Sequence, residues 1–174
     1  MSEATLARQP ATLAWSRPAL ARLLALLLPA ALLGGALGSQ YLGGLVPCEM
    51  CIWQRWPHGA AILLAALAFT APASSQRSRT LVLLAAAAIA VSGAIGVYHA
   101  GVELGIFEGL TTCTSTASGA TSADLLKSIM QTPLVRCDQV QFAFLGISMA
   151  GWNAILSLGG AAIVAWLTFQ ARAA

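Results

Sequence analysis

Four apolar runs constrain this chain more than any other feature: roughly 20–40, 53–71, 80–100 and 144–168. A helix needs about 20 residues to cross a hydrocarbon core. Only helices and closed barrels can satisfy their own backbone hydrogen bonds in lipid. The chain is 58% hydrophobic and 9% charged over 174 residues, which excludes an ordinary soluble globule and leaves room for one domain. The expected fold class is an all-α membrane protein, a four-transmembrane-helix bundle that makes a single domain of residues 1–174.

Charge orients the spans. Arg8, Arg17 and Arg22 precede or open the first, Arg77 and Arg79 separate the second and third, and Arg172 follows the fourth. Six of the nine basic residues therefore share a side. Arg55, Lys127 and Arg136 lie on the other with Glu49, Glu103, Glu108, Asp124 and Asp138. The positive-inside bias makes both termini cytoplasmic, with a tail at 1–19 and outer loops at 41–52 and 101–143. The apolar stretch after Arg17 is too long for the core of a cleaved signal peptide, so it is read as a retained span. Membrane lipid is the expected surroundings, and no basic stripe with interleaved aromatics suggests nucleic acid.

The second outer loop is long, and Thr121 with Asp124 resembles a helix cap before a stripe of Leu125, Leu126, Ile129 and Met130 that ends before Pro133. This predicts a short interfacial helix at 121–131, lying on the bilayer or packed on the ends of the bundle. Gly93, Gly96, Gly151 and Gly159 are expected to let helices approach closely. Trp53, Trp56 and Trp152 are expected in aromatic belts.

All four cysteines fall on the outer side, where disulfides persist. Cys48 and Cys51 form a CxxC just after Pro47, at a predicted helix start. A helix N-terminus stabilises a thiolate there. Arg55 lies one turn beyond Cys51 and two beyond Cys48, placed to stabilise a thiolate or hold a cofactor oxygen, although Pro57 predicts a kink or a later helix start. Its bland alternative is an arginine snorkelling to headgroups. His99, at the outer end of the third span, suits a quinone carbonyl, a proton relay or interfacial water; His58 has the weaker claim.

Cys113 and Cys137 stand 24 positions apart in the long loop. A bond between them would be an exchangeable disulfide or a static staple contributing about 3 kcal/mol in the chain-entropy model. The wide spacing speaks against a four-cysteine zinc site, whose ligands come in short knuckles, and no metal is expected. A non-enzymatic four-helix scaffold with structural disulfides is the alternative from a different class.

Taken together, Pro47-Cys48-Glu49-Met50-Cys51-Ile52-Trp53-Gln54-Arg55, Tyr98-His99-Ala100-Gly101-Val102-Glu103, Cys113, Arg136-Cys137-Asp138 and Phe144-Leu145-Gly146-Ile147-Ser148-Met149 resemble the DsbB family of quinone-dependent thiol oxidoreductases. The resemblance runs from the first span to Asn153. It implies a bacterial inner-membrane enzyme with periplasmic cysteines, a DsbA-like thioredoxin-fold partner, and ubiquinone or menaquinone as electron acceptor. By position, Cys113 would join the partner in a mixed disulfide, and the released Cys137 would attack Cys48. Cys51 would then be freed as a thiolate facing the quinone, with Arg55 and His99 beside it. Glu49 and Met50 depart from the apolar pair of the best-known members, and a vitamin-K-epoxide-reductase-like enzyme usually carries its CxxC late in the chain rather than at the second span.

Overall fold

The computed structural model describes residues 16–109, 121–124 and 135–170. Among the described residues four long helices carry the fold: α1 (Arg17–Tyr41), α2 (Glu49–Ala68), α3 (Gln76–Glu103) and α4 (Met149–Gln170). A two-stranded sheet, β1 (Ala143–Phe144) and β2 (Ile147–Ser148), precedes α4. Helices α1, α3 and α4 are long and apolar enough to cross a membrane, as a multi-pass membrane protein requires. The 20-residue α2 includes Glu49, Gln54, Arg55 and His58 in its first half.

Local chemistry sets each helix start. Pro18 stands in the first turn of α1, where a missing N–H costs nothing. The Ser75 side chain caps α3 by accepting from Ser78 N at 3.2 Å. Cys48 caps α2 with its sulfur, which accepts from Cys51 N at 3.3 Å. The helix therefore begins at Glu49 and runs unbroken through Pro57 to Ala68, so the predicted later start does not occur.

Small residues form the core away from the cysteines: Ala21 and Ala25 of α1, Ala61, Ala65 and Ala68 of α2, Ala85 and Ala86 of α3, and Ala161 of α4 are buried around Ile89 and Val164. Glycine serves the same purpose between α3 and α4. A Cβ at Gly96 would lie 3.0 Å from the Ala150 carbonyl oxygen and 3.1 Å from Ala154 N, and one at Gly93 would meet Leu158. Gly159 has open space instead, so it does not mediate the expected approach. At this end Arg22 donates to the carbonyls of Ala68 and Ala71 and stacks on Phe69, closing the C-terminus of α2.

The predicted fourth span differs at its start. Residues 143–148 form a hairpin, with Ala143 opposite Ser148 and Phe144 opposite Ile147, and α4 begins only at Met149. Leu145 and Gly146 turn it with φ values of 52° and 78°, the two left-handed residues of a tight hairpin. Ser148 then accepts from Gly151 N at 3.1 Å, as a helix cap does. Within the predicted interfacial helix, Thr121 accepts from Asp124 N at 3.2 Å as expected of a cap, while its apolar stripe lies outside the described residues.

Candidate functional site

Residues 51, 54, 55 and 58 follow the i, i+3, i+4, i+7 spacing, so Cys51, Gln54, Arg55 and His58 share one face of α2. That face borders a half-open cavity of about 610 Å³ that α1, α3, α4 and the segments joining them also line. Apolar walls come from Leu32, Leu45, Phe142 and Trp152 among others. Trp152, expected in an aromatic belt, is therefore a wall of the cavity; its ring N–H donates to the Phe144 carbonyl at 3.0 Å. Trp53 and Trp56 are exposed on the outside of the bundle.

Cys48 and Cys51 stand as free thiols with their sulfurs 2.8 Å apart. Cys137 is buried with Cys48, Met50 and Val102, so the loop cysteine packs against the CxxC although 89 positions separate Cys137 from Cys48. Its neighbours Arg136 and Asp138 form a bidentate ion pair on the surface, and the guanidinium holds the Asp138 carboxyl below the usual range. Cys113 lies outside the described residues, and its relation to Cys137 is part of the proposal below.

The CxxC thiols are unequal. The hydrogen bond from Cys48 to Cys51 favours a thiolate on Cys51, a backbone hydrogen bond and the Arg55 charge assist it, and its pKa is lowered to about 7 despite burial. Cys48, which gives that hydrogen bond and is buried, is pushed up and keeps its proton. Arg55 is held in place by Gln40 Oε1 and by the Ala36 carbonyl at 3.2 Å, both from α1. Its Nε is buried without a partner among the described residues.

His99, 3% exposed, brings α3 to the same point: Nε2 lies 3.6 Å from Cys48 Sγ and 3.8 Å from a Glu103 carboxylate oxygen. A backbone hydrogen bond also joins the ring to Cys137. Glu103 in turn accepts from the Ser148 hydroxyl, tying the end of α3 to the cap of α4.

Behind this pair lies a buried polar network absent from the sequence-based expectation. Gln54 Nε2 donates to His99 Nδ1 at 2.8 Å and to Met50 O at 3.2 Å, which leaves Oε1 to accept from Asn153 Nδ2 at 2.8 Å. Asn153 Oδ1 accepts from His58 Nε2 at 2.9 Å and from the Ser157 hydroxyl at 3.0 Å. Ser92 donates to the Gln54 carbonyl at 2.8 Å and contacts His58 Nε2 at 2.9 Å. With Gln54 Nε2 donating to His99 Nδ1 and Asn153 Oδ1 accepting from His58 Nε2, the set is consistent with both histidines carrying their proton on Nε2. Chain pattern held a usable signal for Gln54 and His58, the helical spacing from Cys51. Ser92 and Asn153 come from other helices and had none.

Cys48, Cys51 and His99 present three soft ligand atoms within 4.8 Å of one another. For His99 Nε2 to ligate a metal, its proton would have to move to Nδ1 and the Gln54 and Asn153 amides would both have to turn over, reversing the hydrogen bonds between them.

The chain matches the family model described as "Disulfide bond formation protein DsbB" over residues 18–167. It is 33% identical over 154 residues to disulfide bond formation protein B of Methylococcus capsulatus, covering 83% of this chain and 91% of that protein. The protein of the same name from Azoarcus sp. is 32% identical over 155 residues, 82% of this chain and 87% of its own length. An uncharacterized protein of Rickettsia prowazekii, RP370, is 25% identical over 123 residues, 69% of this chain and 70% of that protein. No solved structure matches the chain significantly. The matched region takes in all but the outermost residues of the described helices and the whole cavity, and on that basis the chain belongs to the DsbB family.

Proposed function

We propose that the chain is a thiol:quinone oxidoreductase that returns a reduced, DsbA-like thioredoxin-fold protein to its disulfide form and passes two electrons to ubiquinone or menaquinone. Family membership carries the coarser part, a membrane oxidoreductase of disulfide formation. The observation that carries the finer part is the burial of Cys48, Cys51 and Cys137 together at a largely apolar cavity bordered by Arg55.

Exchange begins at a Cys113–Cys137 disulfide. A partner thiolate attacks Cys113 and releases Cys137 as a thiolate; the partner's second thiol displaces Cys113 and completes the partner disulfide. Cys137 then attacks Cys48 of an oxidised CxxC, and Cys51 leaves as a thiolate. Cys113 closes again on Cys137, which frees Cys48. The net result moves two electrons and two protons from the partner dithiol to the CxxC. The low pKa of Cys51 favours it as the leaving group, while burial and its hydrogen bond to Cys51 favour a protonated Cys48 once that sulfur is freed.

A quinone, when bound, supplies an apolar acceptor for two electrons and two protons. The cavity fits such a ring: it is in the size range of small-molecule sites, largely apolar, and supplied with an unpartnered buried donor at Arg55 Nε. Arg55 would hold a ring oxygen and the Cys51 thiolate together, and His99 would flank the thiol pair. In this reading residues 53–71, which take in most of α2, make the fourth span, both termini are cytoplasmic, and the cysteine end faces the periplasm of a bacterial inner membrane. Arg17, Arg22, Arg77 and Arg79 at the opposite end support that orientation. The predicted helix at 121–131 would lie at the interface, supported by its Thr121 cap.

The test is reduction of a soluble ubiquinone analogue by purified protein given a reduced DsbA-like partner, with the Cys48→Ser/Cys51→Ser double variant as control. Cysteine-dependent turnover is the expected result. No turnover with several partners and quinones would return the chain to a structural scaffold.

A further inference from the structure

Resting on that reading, we propose that His58 Nδ1 is a specificity determinant of the cavity, a hydrogen-bond acceptor that selects a ring bearing a free hydroxyl, as the reduced quinol does. Three observations meet at this residue. His58 is 3% exposed and borders the 610 Å³ cavity. Its Nε2 proton is committed to Asn153 Oδ1 at 2.9 Å, with Ser92 Oγ also at 2.9 Å. Its Nδ1 is left buried with no hydrogen-bond partner among the described residues.

Burying an acceptor without a donor is costly. In the tautomer that donates to Asn153 Oδ1, Nδ1 is an acceptor with no partner among the described residues. It belongs to a residue that lines the cavity, so a hydroxyl reaching it from there would satisfy it. His99 differs, because Gln54 already donates to its Nδ1.

The donors and acceptors of the site have complementary chemistry. Arg55 Nε offers a proton and matches a quinone carbonyl, which can only accept. His58 Nδ1 offers a lone pair and matches a hydroxyl, which can donate. The two residues are three positions apart on one face of α2, so their backbones are separated by a rise of about 4.5 Å along the helix. One ring lying along α2 can therefore meet a donor toward its outer end and an acceptor deeper in the bundle.

The test is calorimetric binding of tetramethylhydroquinone and of its dimethyl ether to the fully reduced protein without oxygen, where neither side can take electrons. Wild type is expected to bind the hydroquinone about fivefold more tightly, the effect of one neutral hydrogen bond. His58→Phe keeps a ring of similar shape and removes the acceptor, so the preference should fall to about onefold by the same reckoning. Equal wild-type affinities would overturn the proposal without any variant, and a preference undiminished in a folded His58→Phe protein would overturn it too. Binding of neither compound by a protein that still reduces quinone would sink this inference alone. Failure of quinone reduction as well would sink the proposed function with it.

Discussion

The two ends of this bundle are built on different principles. At the end that holds Arg22 and Arg79, alanines pack around Ile89 and Val164, and the buried side chains are almost all apolar. At the cysteine end, Gln54, His58, Ser92, His99 and Asn153 are buried or half-buried in one continuous set of hydrogen bonds beside a cavity. In a bilayer, apolar burial between helices gives little driving force, so close packing of small residues holds the first end. The second end keeps one such close contact, at Gly96 against α4, and adds a polar network. Its helices are positioned by directional bonds, which leave space for a ligand and fix which atoms face it.

The sharpest way to break this comparison is to remove chemistry from the cysteine end without disturbing its shape. Cys51→Ser keeps a hydroxyl of similar size and is expected to abolish quinone reduction, at least a thousandfold by the measure of a lost nucleophile. Cys113→Ser should abolish partner oxidation instead. Steady-state assays that separate the two half-reactions check both, and wild-type rates in either variant would overturn the assigned roles.

Next in size is Asn153→Ala, which removes the group joining three helices. It leaves Gln54 Oε1 and His58 Nε2 without their Asn153 contacts, a loss expected to cost roughly 1–3 kcal/mol. Thermal unfolding in detergent should move down accordingly, and turnover should fall with it. If instead stability is unchanged, the network does not hold the helices as described.

How much of this was legible in the chain follows the same division. The helices could be read because lipid demands long apolar runs, and the CxxC with Arg55 could be read because all three lie on one element. Cys137 meeting Cys48 depends on how the loop folds back, and no periodicity encodes that. Asn153 and Ser92 looked like incidental polar residues in apolar spans, since the partners that explain them are 99 and 38 positions away from them at Gln54. The hairpin at 143–148 was hidden for another reason: Phe144, Leu145 and Ile147 continue the hydropathy of α4, and the turn depends on Leu145 adopting an uncommon left-handed conformation.

A smaller effect is expected from Arg55→Ala. Cys51 titrates near pH 7 partly through the Arg55 charge, so alkylation of the reduced CxxC should rise as pH increases through about 7 and level off above it. A lowered thiol pKa means thiolate accumulates as pH rises through it, and loss of the guanidinium moves that midpoint upward. The variant should also need more quinone for the same rate, with oxidation of the partner spared. An unmoved midpoint and unchanged quinone dependence would make Arg55 a headgroup contact.

The smallest effect tests the opposite end. Val164 is fully buried among alanines of the core, and Val164→Ala removes packing with no hydrogen bond at stake. A loss of about 1 kcal/mol is expected, in line with a modest buried deletion. Because this end is held by many short contacts, the loss should appear in thermal unfolding and leave the Cys51 midpoint and the quinone dependence where they were. Coupling would show as a shift of the Cys51 titration in Val164→Ala. That result would mean the two ends are one cooperative packing unit, and the division between a close-packed end and a hydrogen-bonded end would have to be abandoned.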